Sequence, residues 1–165
     1  MDNNLRKIRR AKKEDMERIL SIYEYARGFM AQTGNPTQWG KHSPSEEVLL
    51  EDIRKEQLFV MEEAGEVHAV FAFIIGRDAT YEVIENGTWL SESGYGTIHR
   101  IAGDGKMHGI LDSAVSFCEQ RIHHLRIDTH ENNQVMRHLI VKCGFKECGV
   151  IHVKDGTPRI AYERV

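Results

Sequence analysis

The sequence predicts an α/β (α+β) protein built on a mixed, mostly antiparallel sheet of about seven strands, with about four helices. Three observations lead there. Strand and helix periodicities follow one another in the order β-α-α-β-β-β-α-β-α-β-β. Apolar runs joined by short Gly-containing turns, Glu63-Ala64-Gly65-Glu66 and Asp155-Gly156, read as hairpins, which rules against a purely parallel sheet. The 165 residues, 41% hydrophobic and 28% charged, have the size and balance of a single globular domain over 1–165 with a sizeable core.

Each element has its own signal. LRKIRR (5–10) is a short first strand. From about Lys13, Met16, Ile19, Leu20, Tyr23, Ala26 and Met30 recur at three- and four-residue spacing, one face of a helix. TGNPTQWGKHSP breaks that pattern. A second helix then starts at Ser43-Pro44-Ser45-Glu46, with Ser43 as cap, Pro44 at the first helical position and Glu46 closing a capping box. LFVME (58–62) and VHAVFAFII (67–75) form a hairpin, and Gly76 to Gly94 is a long irregular loop of the kind that often carries function. GTIHRIA (96–102) is a strand. Met107, Ile110, Leu111, Ala114 and Cys118 line the next helix, and LRIDTH (125–130) alternates as a strand. Val135, Met136, Leu139, Ile140 and Cys143 mark the last helix, which Gly144 ends, and FKECGVIHV and PRIAYERV close the chain as a hairpin.

Composition narrows the function. A net charge of −3 argues against a general nucleic-acid partner. No run of 18 apolar residues suits a membrane span, and MDNNLRKIRRAKKED lacks the apolar centre of a signal peptide. Cys118, Cys143 and Cys148, an odd count without C-x-x-C, fit reduced thiols in the cytoplasm. No metal site is expected: His130-Glu131-Asn132-Asn133-Gln134 has Gln where H-E-x-x-H needs its second His, and His123-His124 opens a strand facing solvent.

The chemistry concentrates in IAGDGKMHGILDSAV (101–115), where a strand gives way to a glycine-rich turn and a helix. That geometry aims backbone N–H groups and the positive helix end at an anion. A Walker A loop fails because Met107 follows Lys106. A dinucleotide fingerprint matches Gly103 and Gly105, with Asp128 at a suitable distance, but His108 takes the third glycine's place and too few parallel strands follow. An NAD(P)-binding oxidoreductase is therefore a distant alternative.

The third reading is coenzyme A. Nearly the whole chain resembles the GNAT superfamily of N-acetyltransferases. The family's pyrophosphate loop, Arg/Gln-x-x-Gly-x-Gly/Ala, falls on Lys106-Met107-His108-Gly109-Ile110-Leu111, with Lys first and Leu last. The family's Asn-x-x-Ala-x-x-Leu-Tyr-x-Lys-x-Gly-Phe falls on residues 133–145. Asn133, Leu139, Lys142, Gly144 and Phe145 are in register, and Met136 and Ile140 depart from it. Ile140 stands where the family often has a Tyr that protonates the departing thiolate.

The resemblance implies transfer of an acetyl group from acetyl-CoA to a primary amine of a small molecule or peptide, by direct attack in a ternary complex. It implies a fold in which the fourth and fifth strands splay apart, leaving the backbone N–H of Ile101 to bond the thioester carbonyl beside Ala102. Residues 106–111 would take the pyrophosphate, with charge from Lys106 and His108, and Asn133 would bond the pantetheine arm. An alkyl amine with a pKa of about 10 needs help to lose its proton. His99, on one side of the fourth strand with Thr97 and Ile101, and Asp128 and His130, sharing a face of the fifth, are the candidate catalytic groups. Gln38 and Trp39 lie in the segment that roofs the family's acceptor pocket, where a Trp is either a lid or a cap on the core. Arg159 and Tyr162 are further candidate walls. Arg159 favours an acceptor with a carboxylate, whereas acidic residues in 81–92 favour a polyamine or aminoglycoside. The family habit is a homodimer. A CoA-binding sensor or interaction module without turnover is the alternative that Ile140 and the imperfect loop leave open.

Overall fold

The computed structural model describes residues 6–165. Leu5 of the expected first strand, and residues 1–4 of the stretch read for a signal peptide, lie outside the described residues. Among these, seven strands and four α-helices run β1 (Arg6–Arg10), α1 (Met16–Gln32), α2 (Glu46–Arg54), β2 (Leu58–Glu63), β3 (Glu66–Ile75), β4 (Gly96–Gly103), α3 (Ile110–Glu119), β5 (Leu125–Thr129), α4 (Gln134–Lys142), β6 (Lys146–His152) and β7 (Pro158–Arg164). The strands are hydrogen-bonded in the order β1-β2-β3-β4-β5-β7-β6. β4–β5 is parallel, and β1–β2, β2–β3, β5–β7 and β6–β7 are antiparallel. No helix among the described residues is long and apolar enough to cross a membrane.

The chain forms two compact units. The first runs to Phe73 and includes Arg100–Ile110. Its hairpin turns on two residues, Ala64 (φ +53) and Gly65 (φ +84), the backbone handedness that a two-residue connection favours. Ile19, Ile22 and Tyr23 of α1 and Leu49 of α2 pack with Leu58, Val60 and Val70 in a core closed to solvent. Each such large apolar side chain contributes roughly 1.5–3 kcal/mol by its burial.

The onset of α2 differs from expectation. It begins at Glu46, and the cap is Ser45, whose hydroxyl accepts from the Val48 N–H at 3.2 Å. Ser45 has extended backbone angles and reaches the third helical residue, so Ser43 and Pro44 lie before the helix. The first helix is likewise preceded by a 3-10 turn, Lys13–Asp15.

The second unit comprises Ile74–His99 and Leu111–Val165. The loop expected over 76–94 is ordered. Asp78 caps a 3-10 turn at Ala79–Tyr81, and Glu85 bridges Val150 of β6. Gly87 lies so close to β6 that a Cβ there would stand 1.8 Å from the Cys148 carbonyl oxygen. The Trp89 indole N–H donates to the Tyr81 carbonyl at 2.9 Å. Buried Glu163 accepts from the Leu90 N–H, from His124 Nε2 at 2.6 Å and from Arg126 Nε at 2.7 Å. The Arg126 guanidinium lies 3.8 Å from the Trp89 ring centroid and 4.0 Å from that of Tyr95. His124 is therefore a buried partner of a carboxylate, not the solvent-facing residue its sequence position suggests, and β5 starts one residue later. Asn133 caps α4 by accepting from the Met136 N–H at 3.1 Å, and Gly144 follows its end at φ +93.

Candidate active site

The candidate residues fall in two places, one in each unit. In the first unit β4 ends in the turn that precedes α3. Arg100 takes φ +54, an unfavourable angle for a residue with a side chain. Its guanidinium makes a two-pronged pair with buried Asp52, both contacts at 2.9 Å, and its carbonyl accepts from the buried Tyr23 hydroxyl at 2.7 Å. These contacts over-determine the left-handed angle. They fix the backbone from which Ile101, half-buried, and Ala102, packed into the core, continue. The left-handed residue also interrupts the regular alternation expected along Thr97, His99 and Ile101.

The turn itself is stapled by Asp104. Its carboxylate bonds His68 Nδ1 at 2.7 Å, Arg18 Nη2, and the Lys106 N–H at 2.9 Å. Burial acts to raise the Asp104 pKa, but His68, the Lys106 N–H and Arg18 outweigh it and hold the pKa below the usual carboxylate range. Gly105 combines φ +82 with close approach, because a Cβ there would stand 2.3 Å from the Tyr25 hydroxyl. Lys106, His108 and Gly109 are exposed, Met107 is buried ahead of the helix, Ile110 begins α3, and Leu111 is buried. Arg6 Nη1 comes within 3.8 Å of the Cβ position at Gly109, a cation near the turn that the sequence did not single out. Lys106, Arg18, Glu66 and Val67 line an open depression of about 330 Å³.

Gln38 and Trp39 also belong to the first unit. Trp39 packs against its core with its ring edge-to-face on Tyr23 at 5.5 Å, and Gln38 Oε1 accepts from Asn35 Nδ2 at 2.9 Å. Trp39 is thus a cap on the core.

In the second unit β4 and β5 are paired through Gly96–Leu125 and Thr97–Arg126 only, although both strands run on. The strands leave one another there, as the expected splay requires. His99 and Asp128 follow that point. His99 Nε2 lies 2.9 Å from Asp78 Oδ2, and Asp78 Oδ1 accepts from the Thr80 N–H at 2.9 Å and the Thr80 hydroxyl at 2.6 Å. Burial works to raise the Asp78 pKa, but the His99 and Thr80 bonds outweigh it and bring it down to about 2. The Tyr81 hydroxyl donates to Asp128 at 2.6 Å. Burial first, and the Asp128 charge second, push Tyr81 well above an ordinary phenol, so it stays protonated. Its ring centroid lies 6.3 Å from that of His99. Asp78 and Tyr81 are the partners the sequence reading missed. The only signal for them was a functional-looking loop.

His130 lies just past β5, and its Nδ1 accepts from the Asn132 N–H at 3.0 Å. Burial, and then the charge of Arg159, lower its pKa. Arg159 is buried and donates to the Thr157 hydroxyl at 3.0 Å and the Pro158 carbonyl at 2.9 Å. The Tyr162 hydroxyl accepts from Arg137 Nε at 3.2 Å. Ile140 of α4 is fully buried.

The chain is similar to a GNAT-family acetyltransferase from Streptococcus agalactiae, with 32% identity over 97% of this chain and 95% of that one, and a TM-score of 0.84. It also matches the fold of yncA from Salmonella typhimurium, solved with its cofactor acetyl-CoA, at 16% identity, 97% and 93% coverage and a TM-score of 0.60. The ribosomal-protein-S18-alanine N-acetyltransferase of Escherichia coli matches at 16% identity, 96% and 92% coverage and a TM-score of 0.61. No protein-family model and no curated protein matches the chain.

Proposed function

This chain belongs to the GNAT family of acetyltransferases, and we propose that it moves an acetyl group from acetyl-CoA to a primary amine of a small molecule or peptide within a ternary complex. The observation that carries the reading is the parallel β4–β5 ladder that stops at Thr97 and Arg126 while both strands continue. An extended thioester arm is recognised by backbone groups released in this way. The yncA structure with acetyl-CoA supports the choice of cosubstrate, and the name of the S18-alanine enzyme, an N-acetyltransferase, fits an amine acceptor.

In this reading residues 106–111 take the pyrophosphate on backbone N–H groups, with Lys106 and Arg6 adding positive charge. The Ile101 N–H donates to the thioester carbonyl and stabilises the oxyanion that forms there. Asn133 places the pantetheine arm. Acetyl-CoA supplies the activated acyl group, and the protein orients it and manages protons. His99 is the base. Its Nε2 lies 2.9 Å from Asp78 Oδ2. His130 is less suited, because its Nδ1 already accepts from Asn132. Asp128, with its bond from Tyr81, draws the ammonium in, and Arg159 and Tyr162 are the acceptor contacts of this unit. A thiol with a pKa of about 8.5 leaves without a Tyr at position 140. In this reading the enzyme is cytoplasmic and homodimeric.

Thermal melting with acetyl-CoA, CoA or NADH tests the cosubstrate. At about 100 times its dissociation constant, acetyl-CoA stabilises by roughly 2.7 kcal/mol, a shift of several degrees. A shift with NADH and none with millimolar acetyl-CoA overturns the reading.

A further inference from the structure

We propose that Asp78 is a positioning residue for acetyl transfer, holding His99 as the Nε2–H tautomer so that Nδ1 presents its lone pair to the acceptor amine. The inference rests on the acetyltransferase reading above and deepens it. Three observations support it. The His99 Nε2 to Asp78 Oδ2 distance is 2.9 Å, a hydrogen bond in which a carboxylate can only accept. Asp78 is itself fixed, since Oδ1 takes two bonds from Thr80 and leaves Oδ2 for His99. His99 Nδ1 has no hydrogen-bond partner among the described residues, while the imidazole is only 20% exposed. His99 is partly exposed, so this nitrogen is left open to take a proton from a ligand.

The surrounding groups fit a cation arriving at that nitrogen. The Tyr81 ring lies beside His99, and its hydroxyl is directed to Asp128. His99 thus has the Asp78 carboxylate at Nε2 and, beside it, a phenol kept neutral whose hydroxyl bonds Asp128. His99 Nδ1 takes one proton from the substrate ammonium. The freed lone pair forms the N–C bond to the thioester carbonyl carbon, the C–S bond breaks, and its electron pair leaves on sulfur. The second proton that the nitrogen loses in becoming an amide goes to the thiolate, and the His99 imidazolium releases the first to water, which restores the base. Asp78 neutralises the imidazolium formed on the way.

Asp78→Asn tests this. The amide oxygen can keep both Thr80 bonds, which turns the NH₂ toward His99. Nε2 must then accept, and the proton moves to Nδ1. Nitrogen-15 NMR of the His99 ring is expected to show protonated Nε2 in the parent and protonated Nδ1 in the variant. With an amine that the parent acetylates, kcat is expected to fall about 10²- to 10⁴-fold with acetyl-CoA affinity unchanged. Asp78→Glu keeps a carboxylate and is expected to return the parent tautomer and part of the rate. Thr80→Ala removes the hydroxyl bond to Asp78 Oδ1 and keeps the N–H bond, so it is expected to keep the parent tautomer and to lose less rate than Asp78→Asn. An Asp78→Asn variant with the parent tautomer, or with kcat within about threefold of the parent, overturns the positioning role. A parent that binds acetyl-CoA and acetylates no amine overturns the reading beneath it, and the tautomer measurement separates the two failures because it needs no turnover.

Discussion

The Asp52–Arg100 pair connects fold to chemistry, and Asp52→Asn measures it. Asp52 is 3% exposed, meets both prongs of the Arg100 guanidinium at 2.9 Å and accepts from Gln57 Nε2 at 2.9 Å. The Asn keeps the volume and loses the charge, leaving one prong facing an amide it cannot bond well. Removing one partner of a fully buried pair costs about 3–5 kcal/mol. The Arg100 side chain is 23% exposed, so water recovers part of that loss and about 2–3 kcal/mol is expected. At this size each kcal/mol moves the midpoint by about 2–4 °C, so Tm falls by roughly 5–10 °C. The pair also holds Arg100 at φ +54, a conformation costing of order 1–3 kcal/mol that persists only when over-determined. Arg100→Gly removes the angular cost but leaves the buried Asp52 carboxylate without its counter-charge, so it is expected to lose at least as much. Circular-dichroism melts of the three proteins decide the matter. An Asp52→Asn midpoint within about 2 °C of the parent refutes the reasoning.

Glu163→Gln uncompensates Arg126 beneath the ordered loop. It is expected to cost about 3–5 kcal/mol in the same melts and to open residues 76–94 to limited proteolysis. Gly105→Val meets both φ +82 and the Tyr25 hydroxyl. It is expected to weaken acetyl-CoA binding at least tenfold, about 1.4 kcal/mol, in calorimetric titration. The folded protein disfavours charging His130, so its contribution is intact above the ordinary value of 6.5 and is lost as pH falls below it. The drop in Tm between roughly pH 7 and pH 5 should therefore shrink in His130→Gln. Burial pushes the Cys118 thiol up to about 12 and the Cys148 thiol to about 11, and Cys143 is the half-exposed one. A disulfide reagent should label Cys143 first and the other two only on unfolding.

What the sequence made legible was local. The hairpin at Ala64-Gly65 and the Gly144 stop each depend on a few adjacent residues whose chemistry admits few conformations. Even locally, two serines competed for one cap, and Ser45 won because it alone reaches Val48. The long-range pairs were not legible. His68 and Asp104 are 36 positions apart, and His124 and Glu163 are 39 apart. No periodicity signals that a histidine at a strand start will be buried against a carboxylate. The strand β4 was read correctly, yet its left-handed Arg100 was not, because that angle comes from Asp52 and Tyr23 on other elements. His99 was selected as a strand histidine near the expected acetyl position. Its partner Asp78 sat in a stretch whose order comes from Tyr81, Trp89 and Glu163.

The central claim is acetyl transfer from acetyl-CoA to an amine. The most direct measurement incubates the protein with acetyl-CoA and a panel of primary amines — amino acids, peptides, polyamines and aminoglycosides — and reads products by mass spectrometry, which avoids interference from the protein's own thiols. The account predicts at least one amine heavier by a single acetyl group, formed in step with free CoA and lost in His99→Gln. Bound acetyl-CoA with no acetylated amine across the panel would contradict it and leave a CoA-binding module without turnover.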